Sequence, residues 1–101
     1  MALARGSAMD AQRAPAGRAW IVVRQLARYL AEHPEAKDTI EGIRRWWLPE
    51  GHPYGAAEVQ EALDELVRRG WVVVRAVPPH RRLYGANPAR VGEMRHFGAA
   101  D

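Results

Sequence analysis

The 101-residue chain contains no cysteine, only one lysine and no long run of apolar residues. Without cysteine it can form neither a disulfide framework nor a thiolate metal site. No segment approaches the roughly 18 apolar residues that a membrane-spanning helix needs. Arg5 and Arg13 near the N-terminus are not followed by the apolar core of a secretion signal. We therefore expect a cytoplasmic protein that does not contact a membrane.

Patterns that mark catalytic or cofactor sites are also missing from the sequence. The histidines at positions 33, 52, 80 and 96 are scattered, and no two are spaced i,i+4 on a predicted helix, so we expect no metal site. There is no nucleophile elbow, phosphate-binding loop or dinucleotide-binding pattern. No pair of carboxylates has a spacing that specifies acid–base catalysis. We therefore expect neither an enzyme nor a bound cofactor.

The residues that are present suffice for one small domain with an uneven charge distribution. Hydrophobic residues make up 48% of the chain and include four tryptophans, which is enough for a single core at this length. The net charge is +4 over residues 1–30, −2 over 31–54, −2 over 55–70 and +3 over 71–101. Fourteen of the fifteen basic residues are arginine. Either genomic base composition or phosphate recognition could produce that excess.

The segment from Gly55 to Arg75 contains a helical pattern, a glycine stop and a strand pattern. Its apolar residues have the spacing of one helical face: Val59, Ala62, Leu63, Leu66 and Val67. Gly70 follows at the position where a helix commonly ends in a left-handed residue. The next residues, from Trp71 onward, are aromatic and β-branched, which predicts a strand as far as Val77. The segment therefore predicts a third helix followed directly by a strand.

Two further helices are predicted before this segment. The first extends from about Arg18 to Glu32, because the residue before Pro34 avoids the α-helical region. The second begins at a predicted capping box from Asp38 to Glu41, in which both carboxylates satisfy free backbone N–H groups. Pro49 ends this second helix soon after Leu48.

The C-terminal part predicts a return strand and a short last helix. Pro78 to Arg82 form a basic turn, and Leu83 to Ala86 form the strand. Asn87-Pro88 then provides a cap and a first-position proline for a helix that ends near His96. Residues 1–17 have little periodicity and are expected to be a disordered basic tail, as are residues 98–101 at the other end.

The segments AEVQEALDELVRRGWVVVR and RRLYGANP resemble the recognition helix, wing strand and return strand of the winged helix-turn-helix superfamily of bacterial transcription regulators. The resemblance covers residues 18–97. It implies an α+β domain with three helices, a small antiparallel wing sheet and a short C-terminal helix. In that superfamily helix 3 enters the major groove and the wing contacts the minor groove or the DNA backbone. The resemblance thus implies a small DNA-binding regulator that docks through a basic wing and tail.

The resemblance places candidate DNA contacts on helix 2, helix 3 and the wing. Gln60 and Tyr54 would face the groove, with Ala57 beside them, and the arginines would hold phosphate. The candidate residues are Arg44, Arg45, Tyr54, Gln60, His80, Arg81 and Arg82. A solvated hairpin tip is the alternative interpretation for the wing residues, and surface pairing with carboxylates such as Glu41 is the alternative for Arg44 and Arg45.

Helix 3 departs from the usual pattern because its polar residues are largely acidic. Carboxylates near phosphate cost repulsion and lose the benefit of counterion release. An alternative function is therefore a protein–protein interaction module in a larger assembly, with a basic partner. One residue of the Trp46-Trp47 pair would anchor that partner and the other would lie in the core. The residues of this alternative surface are Trp46, Trp47, Glu58, Glu61, Asp64 and Glu65. The sequence does not predict the oligomeric state or which tryptophan is exposed.

Overall fold

The computed structural model describes residues 17–79 and 81–99. Within them the chain forms four helices and a small three-stranded antiparallel sheet, which confirms the predicted α+β class. In chain order the elements are α1 (Arg18–Glu32), β1 (Lys37–Asp38), α2 (Ile40–Gly42) followed by a π-helical turn (Ile43–Trp47), α3 (Ala56–Arg68), β2 (Val72–Val77), β3 (Arg81–Ala86), a 3-10 turn (Pro88–Arg90) and α4 (Val91–Ala99). None of the described helices is long and apolar enough to cross a membrane.

The core lies between α1, α3 and α4, with the sheet and the π-helical turn closing its sides. The bounds of α1 are those predicted from the sequence, and Leu26 and Leu30 are among its fully buried side chains. Helix α4 packs along α1, and its Met94 is fully buried.

The sheet has the order β1-β3-β2, so β3 lies in the middle and β2 at an edge. Strands β2 and β3 form a hairpin that is paired from Val72 opposite Ala86 to Val77 opposite Arg81. The prediction placed both strands correctly but started β3 at Leu83, two residues late. The exposed Arg81-Arg82 pair hid the alternation of apolar and polar residues that marks a strand, although the backbone pairing continues to the turn.

The third strand, β1, consists of Lys37 and Asp38, which lie opposite Gly85 and Tyr84. Two residues are too few to show the alternation that identifies a strand. The sequence therefore did not locate this strand, although it lies between two predicted helices.

Helix α2 begins one residue later than the predicted capping box. Thr39 is the N-cap, and its hydroxyl accepts a hydrogen bond of 3.3 Å from the Gly42 N–H. The Asp38 carboxylate instead accepts from the Thr39 N–H at 2.8 Å. Asp38 is part of β1, so its backbone belongs to the sheet and the helix starts after it. No hydrogen bond from Glu41 back to the cap is found among the described residues.

Helix α3 begins after Gly55, whose N–H donates to the Glu58 carboxylate at 3.0 Å. Most of the predicted apolar face is buried: Val59, Ala62, Leu63 and Leu66. The prediction is wrong for Val67, which is 38% exposed. Glu65 lies closer to the core than expected and is only 7% exposed. The helix ends as predicted at Gly70, which has φ of 77°.

The last helix follows the predicted cap. The Asn87 side chain accepts from the Ala89 N–H at 3.1 Å, and Pro88 begins the 3-10 turn. Helix α4 continues to Ala99 and so extends beyond the predicted end of the domain at Phe97. The remaining residues of the predicted disordered ends, 1–16 and 100–101, lie outside the described residues.

Candidate nucleic-acid interface

Arg81 and Arg82 are exposed at the start of β3, next to the turn of the hairpin. Register places Arg82 beside Ala76 and Arg81 beside Val77. Successive strand residues point to opposite faces of a sheet, yet both arginine side chains border one depression beside α3. Neither forms an ion pair within residues 17–79 and 81–99. The third predicted contact of this turn, His80, lies outside the described residues.

A depression separates the hairpin from α2 and α3. Both hairpin arginines border it, and the rest of its lining is polar or aromatic apart from one aliphatic residue: Thr39, Ile40, Glu41, Gln60 and Tyr84. Its donor groups come from α3, from β3 and from the cap of α2, and Glu41 supplies a single carboxylate. An anionic group such as a phosphate fits this arrangement better than a cation does.

Gln60 lies beside this depression and is already engaged within the protein. Its amide donates to the Asp64 carboxylate at 3.0 Å and to the Tyr84 hydroxyl at 3.3 Å. Gln60 therefore lies on the flank of α3 that faces the sheet. Its predicted role in reading a groove would require both hydrogen bonds to be exchanged. No local pattern predicts the bond to Tyr84, because the two residues are 24 positions apart.

Arg44 and Arg45 border a second depression that shares Glu41 with the first. The two pairs of arginines therefore lie on neighbouring parts of one surface. The Arg44 Nε is buried and has no hydrogen-bond partner within the described part of the chain. Its backbone oxygen accepts from the His52 Nε2 at 2.8 Å, which ties the π-helical turn to the loop before α3. Arg45 is exposed, and the predicted pairing of either arginine with Glu41 is not found among the described residues.

Tyr54 packs partly against the core at the entrance to α3. Its ring stacks on His52 with centroids 5.4 Å apart, and the Arg18 guanidinium lies 5.5 Å from the ring centre. The Tyr54 N–H donates to His52 Nδ1 at 3.1 Å. These contacts hold the loop that precedes α3. A contact of Tyr54 with DNA stays a prediction.

The four acidic residues predicted to form one exposed face of α3 separate into two groups. Glu58 forms an ion pair with Arg18 at 2.8 Å, and the pKa of Glu58 is lowered by the hydrogen bond from Arg18 and by that from the Gly55 N–H. Glu65 is buried rather than exposed, which corrects its assignment to a partner-binding surface. Only Glu61 and Asp64 of the four are exposed. The partner of Glu58 comes from α1, whereas the partners of Glu65 lie three and four residues later at the end of the same helix.

Glu65 accepts hydrogen bonds from Arg68 and Arg69 at the end of α3. Burial acts to raise the pKa of Glu65, but the hydrogen bonds from Arg69 and Arg68 outweigh burial and keep that pKa below its ordinary value. Two of the four carboxylates are therefore paired with arginines of the same chain, and α3 is less acidic toward solvent than its sequence indicates.

Arg69 lies among three aromatic rings on the side of the molecule where α1, β2 and α4 meet. Its guanidinium carbon is 5.2 Å from the ring centre of Trp20, 5.1 Å from that of Trp71 and 5.4 Å from that of Phe97. The Trp71 indole N–H donates to the Glu93 carboxylate at 2.8 Å. This cluster fills a structural role, because both its cation and its indole donor are satisfied internally.

The tandem tryptophans divide between surface and core. Trp46 is 67% exposed, while Trp47 is 5% exposed and stacks on Tyr29 with ring centroids 5.2 Å apart. The Arg45 guanidinium lies 5.8 Å from the Trp46 ring centre. This outcome agrees with the expectation of one buried and one exposed ring and identifies Trp46 as the exposed one.

The arrangement therefore offers arginines, aromatic edges and amide donors on one surface. Within the described ranges there is no cluster of three or more histidine, aspartate or glutamate residues that could hold a metal ion. Chemically the surface carries groups of the kind that hold an anion or a polyanion. Comparisons with protein-family models, curated proteins and solved structures give no match to this chain.

Proposed function

We propose that the chain is a winged-helix domain that binds double-stranded DNA. The order of helix, strand, basic turn and strand from α3 to β3 supports the fold assignment. The antiparallel pairing of β1 with β3 adds the third strand of a wing sheet, and two helices precede α3. In this proposal the β2–β3 hairpin is the wing and α3 is the helix directed toward a groove.

The observation that carries the DNA-binding proposal is the position of Arg81 and Arg82. Both are exposed, unpaired within the described residues, and border the same depression as α3. Arg44 and Arg45 border the adjoining depression. Phosphate groups along one strand could contact both pairs, so electrostatic docking would supply most of the affinity. The domain then acts as a binding module and small regulator rather than as an enzyme.

The acidic residues of α3 oppose DNA binding less than the sequence indicates. Ion pairing removes Glu58 and Glu65 from the charge that α3 directs outward. The remaining exposed carboxylates, Glu61 and Asp64, still disfavour deep insertion of α3 among phosphates. The proposal therefore gives the wing the dominant role and α3 a shallower position over the groove.

Removal of the wing arginines tests the proposal. The double variant Arg81→Ala plus Arg82→Ala should bind duplex DNA more weakly than the wild type does, whatever the DNA sequence. The slope of log affinity against log salt should fall by about 0.9 for each phosphate that the variant no longer neutralises. Fluorescence anisotropy of labelled duplex over a series of salt concentrations measures both quantities.

A matched control separates position from net charge. Arg82→Ala and Arg95→Ala each remove one positive charge, but Arg95 lies on α4, where its side chain reaches the Ala31 oxygen. Arg95→Ala should leave the salt slope unchanged, and Glu61→Lys plus Asp64→Lys should maintain or raise DNA affinity. Equal effects of Arg82→Ala and Arg95→Ala would contradict docking through the wing.

A second candidate function is protein binding through Trp46. The exposure of the Trp46 side chain favours this function. A tryptophan that is 67% exposed presents a large apolar surface to solvent, and tryptophan is enriched among the residues that dominate interface energies. The exposed Glu61 and Asp64 would face a basic part of such a partner.

Capture with the immobilised chain tests this second candidate. A true partner should be retained by the wild type and by Ile21→Ala, which removes another exposed apolar side chain, on α1. Trp46→Ala should lose that partner, while its DNA affinity should remain that of the wild type. Retention of the same proteins by all three chains would argue against Trp46 as an anchor.

A further inference from the structure

Strand β2 has an open hydrogen-bonding edge. It is the outer strand of the sheet on that side, and the Asn87 N–H donates to the Trp71 oxygen at 2.8 Å at the end of the ladder. Since hydrogen-bonded pairs alternate in an antiparallel ladder, residues 73, 75 and 77 also direct their backbone groups toward β3. The N–H and C=O groups of Val72, Val74 and Ala76 consequently point away from the sheet.

Exposed apolar side chains are concentrated beside this edge. Among the described residues five large hydrophobic side chains are exposed, and three of them are Val67, Val73 and Val74. Val67 lies seven residues after Gln60 and thus on the same flank of α3, the flank from which Gln60 reaches the Tyr84 hydroxyl. The only charged residue within β2 is Arg75. Natural edge strands usually carry more charge than this, because an open edge is a template for another strand.

We propose that β2 pairs antiparallel with β2 of a second copy of the chain, with a two-fold axis at Val74. This register places Val74 opposite its own counterpart and Val72 opposite Ala76 of the other copy. All three outward positions are then matched, for up to six intermolecular hydrogen bonds; Val74 and Ala76 are exposed, whereas Val72 is 3% exposed.

The charges favour this register over the one with its axis at Arg75. With the axis at Val74, each Arg75 lies opposite Val73 of the other copy. An axis at Arg75 would place two like charges directly opposite each other and would set Val72 opposite Pro78, which has no N–H to donate. Because β2 fits its own symmetric copy in this way, the inferred occupant of the edge is the chain itself.

The dimer also has a consequence for DNA, which rests on the proposed function. Pro79 lies five residues from the axis, or about 17 Å along a strand, and the two hairpins extend in opposite directions. The two turns would therefore be about 34 Å apart, close to one turn of the DNA helix.

Single cysteines test the register directly because the chain has no cysteine of its own. In the proposed dimer the two Cα atoms at position 74 lie about 5.5 Å apart, within the range that a disulfide spans. Positions 73 lie diagonally, at about 7–8 Å. Under mild oxidation Val74→Cys should form a cross-linked dimer at least ten-fold faster than Val73→Cys, although Val73 is 52% exposed and Val74 only 36%.

A proline variant tests the hydrogen bonds at the edge. The Val74 N–H points outward, so Val74→Pro should remove an intermolecular donor and leave the ladder with β3 intact. Analytical ultracentrifugation should show dimers for the wild type and monomers for Val74→Pro, and both should have the same circular dichroism spectrum. Equal cross-linking at positions 73 and 74, or a wild type that is monomeric up to millimolar concentration, would overturn the inference.

These experiments are made without DNA and so separate the two proposals. Rapid cross-linking at position 74 in a chain that does not bind duplex would retain the dimer and reject the DNA-binding function. DNA binding by a chain that remains monomeric would do the reverse. Pairing of β2 with a strand of a different protein would appear as a monomeric wild type and would count against the dimer.

Discussion

The side chain of Glu65 illustrates how much one residue can depend on distant parts of the chain. Its carboxylate is held by Arg68 and Arg69, and Arg69 is in turn surrounded by rings from α1, from α4 and from the residue just before β2. A charge this close to the core is stable only because its hydrogen-bonding capacity is satisfied. Glu65 therefore joins the end of α3 to the aromatic side of the core.

We expect Glu65→Gln to destabilise the protein by about 1–3 kcal/mol, the usual value for hydrogen bonds to a charged group that is partly buried. The amide keeps the size of the side chain but leaves both arginines without their counter-charge. Urea unfolding monitored by tryptophan fluorescence measures the change. Glu61→Gln on the exposed face of α3 is the matched control and should change the free energy of unfolding by less than about 0.5 kcal/mol.

The same carboxylate should make the stability depend on pH in the acid range. The folded-state pKa of Glu65 is lowered, so the unfolded chain takes up the proton first as the pH falls. The stabilisation is therefore fully present above the unfolded-state pKa of about 4.3. It is lost as the pH falls below that value toward the folded-state pKa. Between about pH 5 and pH 3 the wild type should lose more stability than Glu65→Gln, and parallel curves would contradict this.

In helix α2, the preference for glycine at position 42 is set by a side chain of the adjoining strand β1. Gly42 lies at the end of a short α-helix, where alanine would ordinarily be preferred by about 1 kcal/mol. A Cβ at this position would overlap the Asp38 carboxylate, which caps the Thr39 N–H from the neighbouring strand β1. The reason for glycine at this position is therefore the neighbouring aspartate side chain.

A double-mutant cycle measures this relation between β1 and α2. We expect Gly42→Ala alone to destabilise the protein by about 1–2 kcal/mol, because the Asp38 carboxylate must move and lose its hydrogen bond. In the Asp38→Ala background the same substitution should stabilise the protein by about 0.5–1 kcal/mol, since only the helix preference remains. Thermal unfolding of the four chains gives the coupling. A Gly42→Ala effect of the same sign in both backgrounds would show that the carboxylate does not set the preference.

At the scale of the whole molecule, the ends of the described chain meet. Helix α4 packs on α1, and the Phe97 ring lies edge-on to the Trp20 ring with centroids 5.9 Å apart. The Asn87 side chain donates to the Gly70 oxygen at 2.8 Å, which ties the end of the hairpin to the end of α3. The hairpin is thereby held in a fixed position relative to α3, as a shared binding surface requires.

Apolar periodicity in the sequence was sufficient to predict α1, α3, the hairpin and the capped last helix, because their patterns are long and local. It failed for β1, whose two residues have no pattern. It also failed for the start of α2, where a backbone committed to the sheet moved the cap to Thr39. In the candidate site, the sequence pointed to Arg81 and Arg82, which the structure places at the surface near α3. The sequence did not predict the hydrogen bond between Gln60 and Tyr84 of β3, because the two residues are 24 positions apart.

The sequence by itself determined most of the helices and strands, since amphipathic spacing and caps act over a few residues. Only the tertiary structure decided which charges remain available, because the neutralising partner of Glu58 is 40 positions away and the rings around Arg69 come from three elements. Tertiary packing likewise decided that Trp46 rather than Trp47 faces solvent and that the edge of β2 is open. Charge and exposure depend on neighbours in space, and those neighbours exist only in the folded chain.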